Sequence, residues 1–308
     1  MKKIAFLLLL AILTQAVTAQ DSEEGYTSSN ELVLQISTLP EIKLGYTHRL
    51  IFPFLQGEGP LTRGNNINLS FTGEVSPVSL NALAEAVWTP IAFITLTAGV
   101  RLGTGWRLDA MNANGIGLNI PGPGPSGEPV YDGSPFDALM WRLKFGGTFQ
   151  FDLAAVLPGD WNHVVFQTYH EINYQANTRA GKNQSWYVES DDGENMNGFN
   201  FYGNYLLGYQ MPLILNTVGF LAEMDLYLYD TPNRKVWGDD LIRWKFSGLF
   251  LFQFTKNWSL AILAQFKTKR NFIEPNWKDL HYTNRHLNTS DPLLVEFYRA
   301  AAVVTYKF

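Results

Sequence analysis

The chain of 308 residues contains no cysteine. That absence excludes disulfides, thiol chemistry, cysteine metal sites and lipid attachment through an N-terminal cysteine. After residue 20 no apolar run approaches the ~20 residues that a membrane-spanning helix needs. Sustained helical periodicity and a fixed-length repeat are also missing. There is no excess of positive charge, with 23 Lys and Arg against 28 Asp and Glu and a net charge of −5. A nucleic-acid partner is therefore not expected.

What is present is 14% aromatic residues and 26 glycines, at a mean hydropathy near zero. Alternating strands average out in this way. At the N-terminus, Lys2 and Lys3 precede an apolar run from Ala5 to Leu13, and Val17-Thr18-Ala19 supplies small residues before Gln20. This pattern predicts a secretory signal over residues 1–19, cleaved after Ala19. Losing Lys2 and Lys3 takes 23 basic residues to 21 against 28 acidic, a net charge of −7. Residues 20–30 then form a short N-terminal segment and 31–308 one domain.

The clearest strand places Leu139, Trp141, Leu143, Phe145, Phe149 and Phe151 on one face and Arg142, Lys144, Thr148, Gln150 and Asp152 on the other. Before it, Ile94, Leu96, Ala98, Val100 and Leu102 alternate with Thr95, Thr97, Gly99, Arg101 and Gly103. Val164 to Tyr174, Phe201 to Met211, Val218 to Leu228, Ile242 to Phe254 and Trp258 to Phe266 each keep one apolar parity. Each is as long as the ~9–11 residues of a tilted membrane strand. Short turns at Thr89-Pro90, Leu157 to Asp160, Met211 to Asn216 and Thr255 to Asn257 alternate with long connections. The long ones cover roughly 109–135, 177–198, 229–240 and 273–292. Pro40 and Pro77 mark either two turns, giving 12 strands, or bulges in two long strands, giving 10. Unbroken apolar parity through Pro40 favours one long strand there. The parity shift between Phe71 and Leu80 fits a bulge or a turn.

The chain ends on a period-two strand. Tyr298, Ala300, Ala302, Val304, Tyr306 and Phe308 lie on one face, and Arg299, Ala301, Val303, Thr305 and Lys307 on the other. This resembles the closing strand of bacterial outer-membrane, porin-like β-barrels. The resemblance covers about Glu31 to Phe308 and implies an all-β fold, a transmembrane antiparallel up-and-down barrel of 10 to 12 strands. It further implies residence among outer-membrane lipids and recognition of Tyr306 and Phe308 by the barrel assembly machinery. Short turns would lie in the periplasm and long loops outside. Trp88, Phe93, Trp106, Trp141, Phe151, Trp258, Tyr306 and Phe308 sit near strand ends, as interfacial girdles require.

Parity turns Lys43, Arg49, Arg101, Arg107, Arg142, Lys144, Arg243, Lys245, Lys267, Lys269, Arg299 and Lys307 inward, with Glu41, Glu74, Glu85, Asp152, Glu171, Glu223 and Asp225. Counting from loop centres sets Asp225 beside Lys245, and Lys267 level with Lys245. The expected lining of a pore is Arg101, Arg142, Lys144, Arg243, Lys245 and Lys267 opposite Glu223 and Asp225. Facing acidic and basic walls would select ions and small polar solutes. If the same charges instead pair across a closed lumen, they fill it. Inward glycines at 99, 103, 105, 146 and 208 favour open space.

No enzyme motif is recognisable, and no cofactor is expected. Asp279, His281, His286, Ser290 and Asp291 share one loop and supply the residue types of a hydrolase, but their spacing matches no such motif. His170 and Glu171 point to opposite faces, with His170 toward lipid. Glu189, Asp191, Asp192 and Glu194 read as a solvated acidic loop without ordered Ca²⁺-ligand spacing. Gly115-Ile116-Gly117 and Pro121 to Pro125 read as linkers. Alternatives to a channel are a non-conducting surface barrel whose outer loops bind a partner and a hydrolase at the rim.

Overall fold

The computed structural model describes residues 25–39, 41–111, 113–121, 129–189, 191, 193–228, 231, 233–273 and 286–308. The expected signal, Pro40, Gly122 to Pro125, Asp192, Asp279 and His281 lie outside these residues.

Twelve strands form one closed antiparallel barrel. In chain order they are β1 (Thr27–Ser37), β2 (Ile42–Pro53), β3 (Asn66–Val75), β4 (Ser79–Ile91), β5 (Ile94–Gly105), β6 (Leu139–Asp152), β7 (His163–Asn177), β8 (Gly198–Gln210), β9 (Leu215–Tyr227), β10 (Arg243–Gln253), β11 (Trp258–Arg270) and β12 (Leu293–Lys307). Each pairs with its sequence neighbours, and β12 returns to β1 with Leu32 opposite Tyr306 and Ile36 opposite Ala302. Asn30 and Phe308 exchange both backbone hydrogen bonds, at 2.9 and 3.0 Å. Both ends of the barrel sequence therefore lie at one rim, here the terminal rim. The opposite, distal rim carries the long loops.

β1 pairs with β2, and β3 with β4, as antiparallel hairpins, so the strand count is 12 and the single long strand expected from Leu32 to Tyr46 is corrected. The cause is register. Ile36 faces Ile42 and Leu34 faces Leu44. Antiparallel partners share a face, and an even separation between them carries the parity through the turn unbroken. In β3–β4, Val75 faces Leu80 and Phe71 faces Ala84. There the separation is odd, and the parity flips at the turn.

Outward side chains remain exposed although they are large and apolar, with Phe71 at 51%, Phe145 at 70% and Phe220 at 52%. A wall of this kind around a whole barrel is stable where the surrounding solvent is hydrocarbon, so the chain is a membrane-spanning barrel of the outer-membrane type. Among the described residues no helix is long and apolar enough to cross a membrane. Aromatics gather toward both rims. Near the termini Trp258 packs on Tyr306 at 4.6 Å and Phe93 on Phe149 at 6.0 Å, while distally Trp141 stacks on Tyr174 at 5.2 Å.

The inward glycines are not all open space. A Cβ on Gly146 would lie 2.6 Å from the Tyr169 hydroxyl, because that ring lies across the glycine. Tyr169 in turn donates to Glu171 at 2.6 Å. Gly146→Val is expected to push this ring off the wall at a cost of about 1–3 kcal/mol. The reading is a lower temperature for the shift from compact to extended migration on a detergent gel. Gly248→Val, with nothing within 4 Å of the added carbon, should leave that temperature unchanged.

Candidate functional site: the lumen and the loop folded into it

Alternation in the long connections builds a second, smaller sheet. Ile116, Leu118 and Ile120 alternate with Gly117 and Asn119 in Ile116–Pro121, which pairs on one side with Trp186–Val188 and on the other with Pro129–Asp132. Its apolar face is a true core, with Ile116 and Trp186 at 0% exposure packed with Leu118, Ala138 and Met140. Gly115 to Gly117 are thus folded structure, which corrects their reading as a linker. Gly103 and Gly105 are the seats of this sheet. A Cβ on Gly105 would lie 2.4 Å from the Ile116 nitrogen, and one on Gly103 3.0 Å from Ile116 Cδ1. The absent side chains make room for a loop.

The strand Trp186–Val188 ends in Glu189, which enters the lumen instead of staying in solvent. Its carboxylate meets Lys43 Nζ at 2.7 Å and Arg101 at 4.0 Å, and accepts from Ser79 Oγ at 2.7 Å and Asn81 Nδ2 at 3.3 Å. Lys43 and Arg101 also share Glu74, at 3.9 and 3.4 Å. Glu189 adopts a left-handed φ of 56°, a conformation that costs energy in a residue with a Cβ and that these contacts hold in place. Burial pushes its carboxyl pKa up, but Lys43, Ser79 and Arg101 outweigh burial and hold the pKa below the ordinary value. The loop is also tied laterally. Glu194 pairs with Arg270, which is bound to Asp239 at 2.8 Å, and both Arg270 and Asp239 are fully enclosed.

The other expected lining residues reach the lumen, mostly as neighbours of carboxylates. Arg142 pairs with Glu171 at 2.5 Å, Lys144 with Glu85, Lys245 with Glu223 at 3.3 Å and Lys267 with Glu296 at 3.7 Å. Lys245 lies opposite Lys267 as anticipated. Asp225 faces Arg243, and Glu223 faces Lys245, so the expected Asp225–Lys245 pairing is shifted by two residues. Arg243 sits 4.0 Å over the Tyr227 ring. Arg107 lies beyond the end of β5 and pairs with Asp109 at 2.7 Å, so it does not line the lumen. Lys307 is at the terminal rim near Glu31, and Asp152 caps a turn there and meets His163 at 2.7 Å. His170 faces outward against Phe201 and Tyr205.

Space remains on both sides of this belt. A cavity of about 470 Å³ lies between the loop and the wall at Lys43, Glu41 and Arg299. A second, of about 290 Å³, is bounded by Arg142, Asp225, Arg243, Lys245 and Lys267 under Asp191 and Glu194. Both touch Asp191 and Tyr298. A third, of about 210 Å³, opens among Glu31, Arg49, Asn68 and Lys307 near the terminal rim. Among the described residues no cluster of three or more acidic or histidine side chains forms a metal site. Of the loop set proposed for hydrolysis, His286 lies in a two-residue strand against Phe272–Ile273, and Ser290 and Asp291 lie in a following turn.

No family model and no curated protein sequence matches the chain. Among solved structures it is similar to the KdgM porin in complex with disordered oligogalacturonate, at 10% identity and a TM-score of 0.36 over 91% of this chain and 99% of that one. It is likewise similar to the beta domain of the Bordetella autotransporter BrkA, at 12% identity and 0.40 over 92% and 99%. The translocator domain of NalP from Neisseria meningitidis gives 8% identity and 0.36 over 100% and 98%.

The Glu189 contacts carry a pH dependence. A carboxyl with its pKa lowered by docking holds the loop in place above the ordinary carboxylate range, ~4.3, and loses that contribution as pH falls through the lowered value. Limited proteolysis of the folded barrel should therefore begin in residues 178–197 under acid conditions. Glu189→Gln should be cleaved there already at neutral pH, with no acid step, while the barrel stays intact.

Proposed function

We propose that this chain is a narrow outer-membrane channel for ions and small polar solutes, with the long loops outside the cell and the terminal rim in the periplasm. Delivery to the membrane would use the N-terminal signal and recognition of the C-terminal strand through Tyr306 and Phe308. The function involves no catalytic step and no cofactor.

The observation that supports a channel is the space that the docked loop leaves in the lumen. The loop docks on β2, β4 and β5 through Lys43, Ser79, Asn81 and Arg101. The opposite wall, from β6 to β11, keeps a cavity bounded by Arg142, Asp225, Arg243, Lys245 and Lys267. A loop that is anchored at β2, β4 and β5 through Glu189 and at β11 through Glu194, and still leaves this space beneath it, makes a constriction rather than a plug. Charged walls at such a constriction act in a medium less screening than bulk water, so they select by sign.

A planar bilayer with a salt gradient tests this reading. Discrete current steps with a non-zero reversal potential are expected. Lys245→Glu should move that potential toward cation preference, because it reverses one charge beside Glu223. An unchanged potential removes Lys245 from the path. A correctly folded barrel that carries no current contradicts the channel and favours a surface barrel acting through its loops.

A further inference from the structure

One outward side chain does not suit hydrocarbon. His170 is the middle residue of the 15 in β7, and its ring is exposed on the lipid-facing wall. One ring nitrogen, Nε2, is bonded to Thr168 Oγ1 at 2.8 Å. The other, Nδ1, has no hydrogen-bond partner among the described residues; its ring is otherwise met only by the Phe201 and Tyr205 rings. His48, which also faces outward, has the bond that His170 lacks, between its Nδ1 and Asn30 Oδ1 at 2.9 Å. At mid-membrane no water completes the set, so a ring nitrogen left in this way marks a contact with protein rather than with lipid.

The surroundings of the ring point to the partner. Its ladder neighbours are Gly147 on β6 and Gly203 on β8. A Cβ on Gly203 would come within 3.3 Å of Nδ1, so that nitrogen lies over a position with no side chain. Small residues around a polar one let a second wall come close, and membrane-embedded surfaces associate through this combination. Tyr205 lies beside Thr168 in the ladder, with its ring edge-on to His170 at 5.4 Å. Its hydroxyl donates to Met224 Sδ at 3.7 Å, and its oxygen accepts no bond among the described residues. One patch thus holds an unmet ring nitrogen and an unmet hydroxyl oxygen that are not bonded to each other. Such a patch is complementary to itself, because a two-fold axis brings the nitrogen of each copy to the hydroxyl of the other. A tyrosine hydroxyl answers either histidine tautomer, as it both accepts and donates. Phe145 and Ile172, exposed at 70% and 53%, add apolar contact area next to the pair.

We propose that the outer face of β6 to β8 is an interface with a second copy of this chain. Two barrels lie side by side in the membrane about a two-fold axis, with His170 Nδ1 hydrogen-bonded to the partner subunit's Tyr205, and the reciprocal bond completing the pair.

The absence of cysteine makes the test clean. Asp160→Cys, in a turn at the terminal rim, carries a donor dye in one preparation and an acceptor dye in another, and energy transfer is followed in phosphatidylcholine vesicles as lipid is added. Transfer should exceed the level of random encounter between barrels at the same density. His170→Leu and Tyr205→Phe should each need about tenfold more protein per lipid for the same transfer, since every pair loses two hydrogen bonds. Heat-shift gels establish that each variant is folded. In unlabelled barrels a bis-maleimide should join copies of Ile172→Cys and not copies of Leu34→Cys, whose side chain is also exposed, at 41%, but on β1 across the barrel. Transfer at the random level, which a lipid or an unrelated protein on this face would give, overturns the inference. Association that both variants leave unchanged also overturns it, as does cross-linking at Leu34→Cys without cross-linking at Ile172→Cys.

Discussion

In hydrocarbon no water is available to hydrogen-bond a free strand edge, so a sheet that enters a membrane must close on itself. The pairing of β1 with β12, finished by the double hydrogen bond between Asn30 and Phe308, is the contact on which everything else in this molecule depends. Closure makes one face of every strand lipid-facing and the other lumen-facing. The period-two alternation follows from that division, as does the tolerance of exposed phenylalanines on the outer face. A charge on the inner wall has only other inner-wall groups, loops or water to meet, and here the belt of cations is met largely by carboxylates on neighbouring strands.

One loop residue converts this paired belt into an asymmetric one. Glu189 brings an extra negative charge to Lys43 and Arg101, which already share Glu74. The loop sheet that carries it is held by a small apolar core around Ile116 and Trp186 and by glycines that leave room for its backbone. Docking therefore combines apolar packing with a desolvated ion pair. Each alone is modest, but together they hold the loop in the lumen, where Glu194 ties it also to Arg270 on β11 and a cavity remains beneath it against β6 to β11.

Much of the barrel was legible in the sequence because parity is a local property. Residues such as Trp141 and Arg142 declare opposite faces without knowledge of their partners, and the count of long loops follows from them. Register is less local. The even offset of the β1–β2 hairpin disguised a turn as a continuous strand, and the Asp225 pairing was misplaced by two residues because the ends of the intervening loop are not marked by any residue type. The loop sheet was the main omission. Its signal was present in the alternation of Ile116, Leu118 and Ile120 and of Trp186 and Val188, but a sequence between strands invites reading as solvent-exposed chain. Glu189 looked like one acid among four, since nothing local announces Lys43 and Arg101 from strands more than eighty residues away. On β10 the alternation is blurred for a different reason, because Leu249 and Leu251 on the inner parity stand beside Phe250 and Phe252 on the outer one.

The central claim is that a docked loop narrows an otherwise open lumen. Single-channel conductance of the wild-type barrel beside Glu189→Ala, measured in the same bilayer and salt, tests it most directly. The account predicts small discrete steps for the wild type and larger, noisier ones for the variant, because the loop loses its contacts with Lys43 and Arg101 and no longer holds its place in the constriction. Equal conductance in the two, with both barrels folded, would contradict it and place the narrowest part of the path elsewhere.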